Sequence, residues 1–157
     1  MLKTPTPTQM LLGIGLLAWG LLASGFVLEY AFGVLPCPMC WWQRYAHLAI
    51  GMCALLGAWQ SLKWGALGAG LSAWVGAGVA LWQVAAQHHW LPFPASCTSG
   101  SNTAVLGADL LSAMTQVKVI PCDLETFTLL GLSLAAWNLP LMLFCAGVAV
   151  HILIKSR

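Results

Sequence analysis

The strongest chemical signal in the sequence is a pair of cysteines, Cys37 and Cys40, in the run Cys-Pro-Met-Cys. Oxidation of such a pair closes a small ring that gains little from loop closure, so the spacing suits redox cycling better than structural cross-linking. Arg44 follows Cys40 by four residues and shares its face on any helix that begins at the pair. Its charge, together with the free N–H groups at the helix start, is expected to favour a thiolate at Cys40 or an anionic ligand beside it.

Two further cysteines, Cys97 and Cys122, lie in one long segment between apolar runs. The orientation argued below places Cys37, Cys40, Cys97 and Cys122 on the outer, oxidising side of a membrane. Four thiols in such a compartment are expected to pair as two disulfides. Three pairings are possible in principle. Local spacing favours one disulfide within each segment, Cys37–Cys40 and Cys97–Cys122.

The elements that position these residues are predicted to be membrane helices. Six basic and four acidic residues in a chain of 157, against 60% apolar residues, indicate that lipid is the main solvent. A soluble enzyme, a disordered chain and a nucleic-acid-binding protein are disfavoured, the last because a net charge of +2 attracts phosphates weakly. The apolar runs predict an all-α membrane protein, a single bundle of four transmembrane helices. The predicted spans are residues 10–28, 41–60, 65–86 and 130–154.

The charged residues predict the orientation of this bundle. Four of the six basic residues fall at the termini and in the short loop between spans two and three, which the positive-inside rule assigns to the cytoplasm. Loops 29–40 and 87–128 contain all four acidic residues and are predicted to lie outside. Within the second loop, residues 103–119 have the spacing of a short amphipathic helix on the bilayer surface. A cleaved signal peptide is the competing interpretation of the first span, but the run is too long for one.

Two packing features are expected inside the spans. Cys53 and Cys145 fall within apolar runs and are interpreted as small buried hydrophobic residues without a chemical role. The third span has a ridge of small residues that allows close approach of a neighbouring helix, with homodimerisation as the alternative. The ridge consists of Gly68, Ser72, Gly76 and Ala80.

Several site residues have simpler interpretations. Arg44 could extend to the head groups without any other role. Cys37 and Cys40 could bind zinc together with Cys97, Cys122, His88 or His89, but gathering ligands from two loops in an oxidising compartment disfavours a metal site. The two histidines could instead donate hydrogen bonds to a ligand at the interface, or be polar residues of the interfacial belt. Four tryptophans are interpreted as such belt residues: Trp41, Trp42, Trp59 and Trp64.

Taken together, these residues resemble the bacterial disulfide-bond formation protein B (DsbB) family, inner-membrane enzymes that use quinone to reoxidise the periplasmic dithiol oxidase DsbA. The resemblance covers nearly the whole chain. Family members often carry Arg where Gln87 stands, and His88 is a better match than His89. The motifs are Cys37-Pro-Met-Cys-Trp-Trp-Gln-Arg44, His88-His-Trp90, Pro94-Ala-Ser-Cys97, and Pro121-Cys122-Asp followed by Leu130-Gly-Leu132 and Trp137.

The resemblance implies a role for each site residue. Cys97 and Cys122 would form the periplasmic disulfide that is presented to reduced DsbA, with Cys97 taking the mixed disulfide. Electrons would then pass to Cys37 and Cys40. Cys40 would deliver them to ubiquinone or menaquinone, which the resemblance implies is held near Arg44 and His88. Since a DsbA-like oxidase is itself a strong oxidant, the final acceptor must be stronger still, and a membrane quinone meets that need.

Two other hypotheses remain beside this one. The first is a non-catalytic four-helix membrane protein whose periplasmic loops are held by two structural disulfides, which leaves Arg44 and the small Cys37–Cys40 ring without a role. The second is an enzyme similar to vitamin K epoxide reductase, in which the redox pair opens the last span, whereas this pair opens the second.

Overall fold

The structure of the protein is a computed structural model that describes residues 5–94, 97, 122 and 128–156. Most of these residues form four α-helices: α1 Pro7–Phe32, α2 Pro38–Trp59, α3 Leu62–Gln87 and α4 Leu134–Lys155. A small antiparallel hairpin, β1 Thr128–Leu129 and β2 Leu132–Ser133, immediately precedes α4. The predicted amphipathic helix at residues 103–119 lies outside the described residues.

The ends of α1 follow from local sequence signals. Thr6 and Gln9 form a reciprocal capping box at its start, with Pro7 in the first turn. Gly33 ends the helix with a left-handed φ of 69°, a conformation that glycine adopts without strain. The helix is therefore longer than the predicted span 10–28. Glu29, which was predicted to lie in the following loop, belongs to the last turn of α1.

The start of α4 also differs from the prediction. Residues 128–133 form the hairpin, and Leu130 and Gly131 make its two-residue turn with left-handed φ values of 55° and 79°. The Ser133 hydroxyl then accepts a hydrogen bond from the Ala136 N–H and caps the helix. The last helix accordingly begins at Leu134 and not at residue 130, because the hairpin and the cap occupy the residues before it.

Small residues let the helices approach closely. α3 packs against both α2 and α4, while α1 packs mainly against α2. A Cβ atom at Gly65 would overlap the Gly57 backbone, so these two glycines permit the contact of α2 with α3. Gly68 and Gly76 of the predicted ridge lie against Cys53 and Met142 of the same chain, which accounts for them by packing within the bundle.

Three of the described helices, α1, α3 and α4, are long and apolar enough to cross a membrane. α2 has 22 residues but is less apolar, because its first half carries Gln43, Arg44 and His47. The helices expose large apolar side chains that a water-soluble protein would bury. Examples are Leu16, Val75 and Phe144. The protein is thus a mostly helical membrane protein.

Candidate functional site

Cys37 and Cys40 lie at the start of α2. Cys37 is the N-cap, and its sulfur accepts a hydrogen bond from the Cys40 backbone N–H at 3.4 Å. Both residues are free cysteines, with their sulfurs 2.8 Å apart. Because a disulfide bond is about 2.05 Å long, the structure holds the pair as a dithiol, and the Cys37–Cys40 disulfide stays a prediction. The sulfurs are in contact, so the geometry suits formation of that bond.

The two thiols, which precede the predicted span 41–60, differ in acidity. The pKa of Cys40 is lowered to about 6, mainly because the Cys37 thiol donates a hydrogen bond to it. The Gln83 amide and the Arg44 charge lower it further, while burial opposes the shift. The pKa of Cys37 is raised, because its hydrogen bond to Cys40 and its burial both favour the protonated form. Cys40 is therefore the thiolate of the pair, although the N–H at the helix start contacts Cys37.

We expect alkylation of the reduced protein to modify Cys40 first, with a rate that rises through a pH midpoint near 6 and then levels off. The thiolate is the nucleophile, so the rate follows the ionisation of Cys40. Rapid labelling with iodoacetamide over a pH series, read peptide by peptide by mass spectrometry, measures this profile. In the Cys37→Ala control the midpoint moves upward, because the donating thiol is lost. Initial labelling at Cys37, or a midpoint near 9, contradicts the assignment.

Cys97 and Cys122 are joined by a disulfide. Each is only 2% exposed, and both pack with Cys37 and Met39 in one buried group. Cys40 is partly buried against the same group. We call the four cysteines the cysteine cluster. It brings together the residues that the sequence analysis selected for thiol–disulfide exchange, although they come from distant parts of the chain.

Arg44 is held by α1. Its guanidinium forms an ion pair with Glu29 and donates a hydrogen bond from Nη2 to the Gly25 carbonyl oxygen at 3.0 Å. It also lies over the rings of Phe26 and Trp41, 4.7 and 4.9 Å from their centroids. With a side chain only 11% exposed, Arg44 does not simply extend to the head groups. Glu29 was not predicted as its partner, because the apolar runs place that residue in a loop.

A cavity of about 730 Å³ opens beside the dithiol, a size typical of small-molecule sites. Cys40, Arg44 and His47 line it from successive turns of α2. Its apolar walls come mainly from α1 and α4 and include Leu21, Leu28 and Leu141. The cavity therefore suits an apolar ligand with a polar group that can meet a thiolate and a cation.

A buried amide of α3, that of Gln83, contacts the sulfurs. Gln83 Nε2 donates toward the sulfurs of Cys37 and Cys40 at 3.7 and 3.8 Å. Gln83 Oε1 in turn accepts a hydrogen bond from Gln43 Nε2 at 2.9 Å. Both glutamines are buried, so these hydrogen bonds satisfy groups that water does not reach.

The hydrogen bonds continue deeper into the bundle. Gln43 Oε1 accepts from Asn138 Nδ2 at 2.7 Å, and Asn138 Oδ1 lies 2.9 Å from His47 Nε2. We call Gln83, Gln43, Asn138 and His47 the polar chain. The polar chain was not predicted, although the sequence contains one signal for it: a polar residue inside an apolar span usually faces the bundle interior and has a partner.

His88, selected from the sequence as a ligand of the cofactor, does not line the cavity. It follows the last residue of α3, is exposed, and stacks on Trp90 with ring centroids 5.5 Å apart. His89 is exposed as well, with a left-handed φ of 59°. Gln87 lines the cavity instead and accepts a hydrogen bond from the Ser133 hydroxyl at 2.9 Å.

The chain matches the family model described as Disulfide bond formation protein DsbB over residues 7–152. Similar curated proteins are named Disulfide bond formation protein B. The one from Herminiimonas arsenicoxydans is 30% identical over 94% of this chain and 96% of its own length. The one from Azoarcus sp. (strain BH72) is 34% identical over 76% and 75%.

A third, from Dechloromonas aromatica (strain RCB), is 33% identical over 93% of this chain and 89% of its own length. No solved structure matches the chain. The family model covers nearly the whole of the chain, including α1 to α3, the cysteine cluster and most of α4. The chain therefore belongs to the DsbB family of membrane disulfide bond formation proteins.

Proposed function

We propose that this protein is a membrane thiol–disulfide oxidoreductase that reoxidises a periplasmic DsbA-like oxidase and passes the electrons to a membrane quinone. The observation that carries the proposal is the cysteine cluster, in which a disulfide packs beside a dithiol whose more acidic member, Cys40, borders a cavity. The proposal includes four spans in the bacterial inner membrane, cytoplasmic termini and periplasmic redox loops.

Electrons enter at the Cys97–Cys122 disulfide. A thiolate of the reduced partner attacks Cys97, forms a mixed disulfide and releases Cys122 as a thiolate. The second partner thiolate then displaces Cys97, so the partner gains a disulfide while Cys97 and Cys122 take up two electrons and two protons. Because both cysteines are 2% exposed, they must leave the cysteine cluster for a protein to reach them.

The internal step uses the packing of the cysteine cluster. The Cys97 and Cys122 thiols reduce the Cys37–Cys40 disulfide, and their own disulfide forms again. This exchange conserves two electrons and two protons within the protein. It produces the dithiol at the start of α2. The Cys40 thiol then releases its proton to water and, as the thiolate, accepts a hydrogen bond from Cys37.

The final step takes place at the cavity. A bound quinone supplies a two-electron, two-proton acceptor. Arg44 contributes a fixed charge beside Cys40 that favours the thiolate and an anionic ligand. The Cys37–Cys40 disulfide forms as two electrons leave. Of the two protons that the acceptor takes up, one comes from the Cys37 thiol and the other from water, which received the Cys40 proton when that thiol ionised. The residues fit a quinone, since the cavity combines apolar walls with a cation and a thiolate.

Addition of the purified protein to a reduced DsbA-type oxidase and ubiquinone tests this function. We expect loss of the ultraviolet absorbance of the quinone, with one disulfide formed in the partner for each quinol. A Cys97→Ser variant is the control and stops this coupled reaction at the entry step. Absence of quinone reduction by folded protein contradicts the proposal. The competing hypothesis of two structural disulfides predicts that absence and gives the dithiol no function.

We expect the Cys53→Ala/Cys145→Ala protein to keep its quinone-linked turnover within about twofold. Cys53 packs against Gly68 and Cys145 is buried within α4, and neither lines the cavity. The double variant loses only side-chain packing, which lowers stability modestly. Turnover and thermal unfolding in the same detergent separate the two effects. Loss of turnover in a folded double variant shows that one of these thiols takes part in the reaction.

A further inference from the structure

The polar chain can be fully hydrogen-bonded in only two ways. An amide side chain has a donor end and an acceptor end, so three amides in sequence must all point in the same direction. Gln83 presents either its N–H group or its carbonyl oxygen to the sulfurs, and Gln43 and Asn138 follow its orientation. All members of the chain are less than 10% exposed, so water does not compensate a mismatch between neighbours.

The sulfur end of the polar chain selects one direction. A thiolate at Cys40 accepts hydrogen bonds and donates none. It is therefore stabilised when Gln83 presents its N–H group, as it does at 3.7 and 3.8 Å from the two sulfurs. In the reverse direction the Gln83 carbonyl oxygen would face the thiolate, and the thiol form would be favoured instead.

The other end of the chain is His47, and its two ring nitrogens distinguish the two directions. When the amides donate toward the sulfurs, Asn138 Oδ1 faces His47 and Nε2 must carry the hydrogen. When they point the other way, Nε2 must accept and the hydrogen lies on Nδ1. A neutral imidazole has one N–H group, so each direction of the chain requires one tautomer of His47.

The surroundings of Nδ1 select the first tautomer. Nδ1 of His47 is buried and has no hydrogen-bond partner within the described structure. A buried N–H group without an acceptor is rarer in proteins than an acceptor without a donor. Among the residues that the structure describes, the other buried side-chain atom without a hydrogen-bond partner is Trp19 Nε1, a donor that offers no acceptor to an Nδ1–H group. The hydrogen of His47 is thus favoured on Nε2.

We propose that His47 is a positioning residue that fixes the direction of the polar chain, so that Gln83 presents its N–H group to the sulfurs of Cys37 and Cys40. His47 acts through Asn138 and Gln43, without contacting the sulfurs. The inference rests on the proposed function in one respect only: the thiolate it favours is the one that reacts at the cavity.

A matched pair of substitutions tests the role of Nε2. Glutamine carries an amide nitrogen where histidine carries Nε2, whereas the shorter asparagine reaches only the position of Nδ1. We expect alkylation of Cys40 in the reduced protein, at a fixed pH below the plateau, to slow about fivefold in His47→Asn, equivalent to somewhat less than one pKa unit. His47→Gln should stay within about twofold of the unsubstituted protein. His151→Asn, at the far end of α4, is the control for histidine replacement and should have no effect.

The possible outcomes distinguish a positioning role of His47 from a general contribution to packing. Equal alkylation rates in the unsubstituted protein, His47→Asn and His47→Gln overturn the inference. An equal fall in the alkylation rate in His47→Asn and His47→Gln also overturns it, because it would mean that the imidazole itself is required. The assay uses neither the partner nor a quinone. Failure of the quinone-reduction assay and failure of this inference are therefore distinguishable.

A second measurement uses the unsubstituted protein and does not depend on the folding of any variant. Nitrogen-15 NMR of protein labelled at histidine distinguishes an Nε2–H ring from an Nδ1–H ring by the two nitrogen shifts. The His47 signals are assigned by their absence in His47→Gln. An Nε2–H tautomer in the reduced protein supports the inference, whereas an Nδ1–H tautomer or an imidazolium overturns it.

Discussion

The Cys40→Ser variant is expected to lose quinone-linked oxidation of the partner protein, with turnover at least about 10³-fold lower, as for removal of a nucleophile. Cys40 has the more acidic thiol of the dithiol and is the one of the pair that lies next to Arg44 along α2. A serine hydroxyl does not ionise near neutral pH and forms no disulfide with Cys37. Electrons that reach Cys97 and Cys122 therefore have no path to the cavity.

A single-turnover experiment shows whether the loss occurs at this step. With the variant in excess over reduced partner, the Cys97–Cys122 disulfides still oxidise all of the partner in a single turnover, because Cys40 takes no part in that exchange. Acid quenching and thiol labelling measure this burst. Cys53→Ser, a serine replacement of a cysteine outside the cysteine cluster, is the matched control and retains full turnover. Repeated turnover by Cys40→Ser would contradict the assigned path.

The parts of the molecule that the sequence predicted are those with local causes. The Cys37–Cys40 pair, the proline after Cys37 and the change to an apolar run together predict a redox-active pair at a helix start. The helices were found because long apolar runs need only their own residues to be recognised. α2 and α3 each begin within three residues of the predicted spans 41–60 and 65–86.

The parts that were missed depend on contacts between helices. The partnership of Arg44 with Glu29 requires α1 to continue past residue 28 and to lie beside α2, which neither segment encodes alone. The polar chain likewise combines α2, α3 and α4, and its hydrogen bonds depend on the rotation of each helix about its axis. His88, in contrast, was predicted to contact the cofactor. It follows the cavity-lining Gln87 in the sequence, but its side chain does not line the cavity.

The Arg44→Ala substitution is expected to have two separate effects. The first is loss of stability, because the Glu29 carboxylate, only 15% exposed, keeps its burial but loses its partner. Breaking one partner of a buried ion pair costs roughly 3 kcal/mol or more. The second is weaker interaction with quinone, because the cavity loses its cation. We expect the KM for quinone to rise about tenfold or more, because a charged hydrogen-bond donor is lost. The KM for the partner should change little.

The Arg44→Ala/Glu29→Gln double variant separates these effects. Glutamine replaces the unpaired carboxylate with a neutral group of the same shape, so the midpoint of thermal unfolding should return most of the way toward that of the unsubstituted protein. The KM for quinone should stay high, because no cation has been restored to the cavity. Steady-state kinetics with each substrate varied in turn, together with unfolding in the same detergent, measure both quantities. If the quinone KM recovers together with stability, Arg44 serves the fold through Glu29. If it does not recover, Arg44 serves the cavity directly, as its position one turn after the Cys40 thiolate indicates.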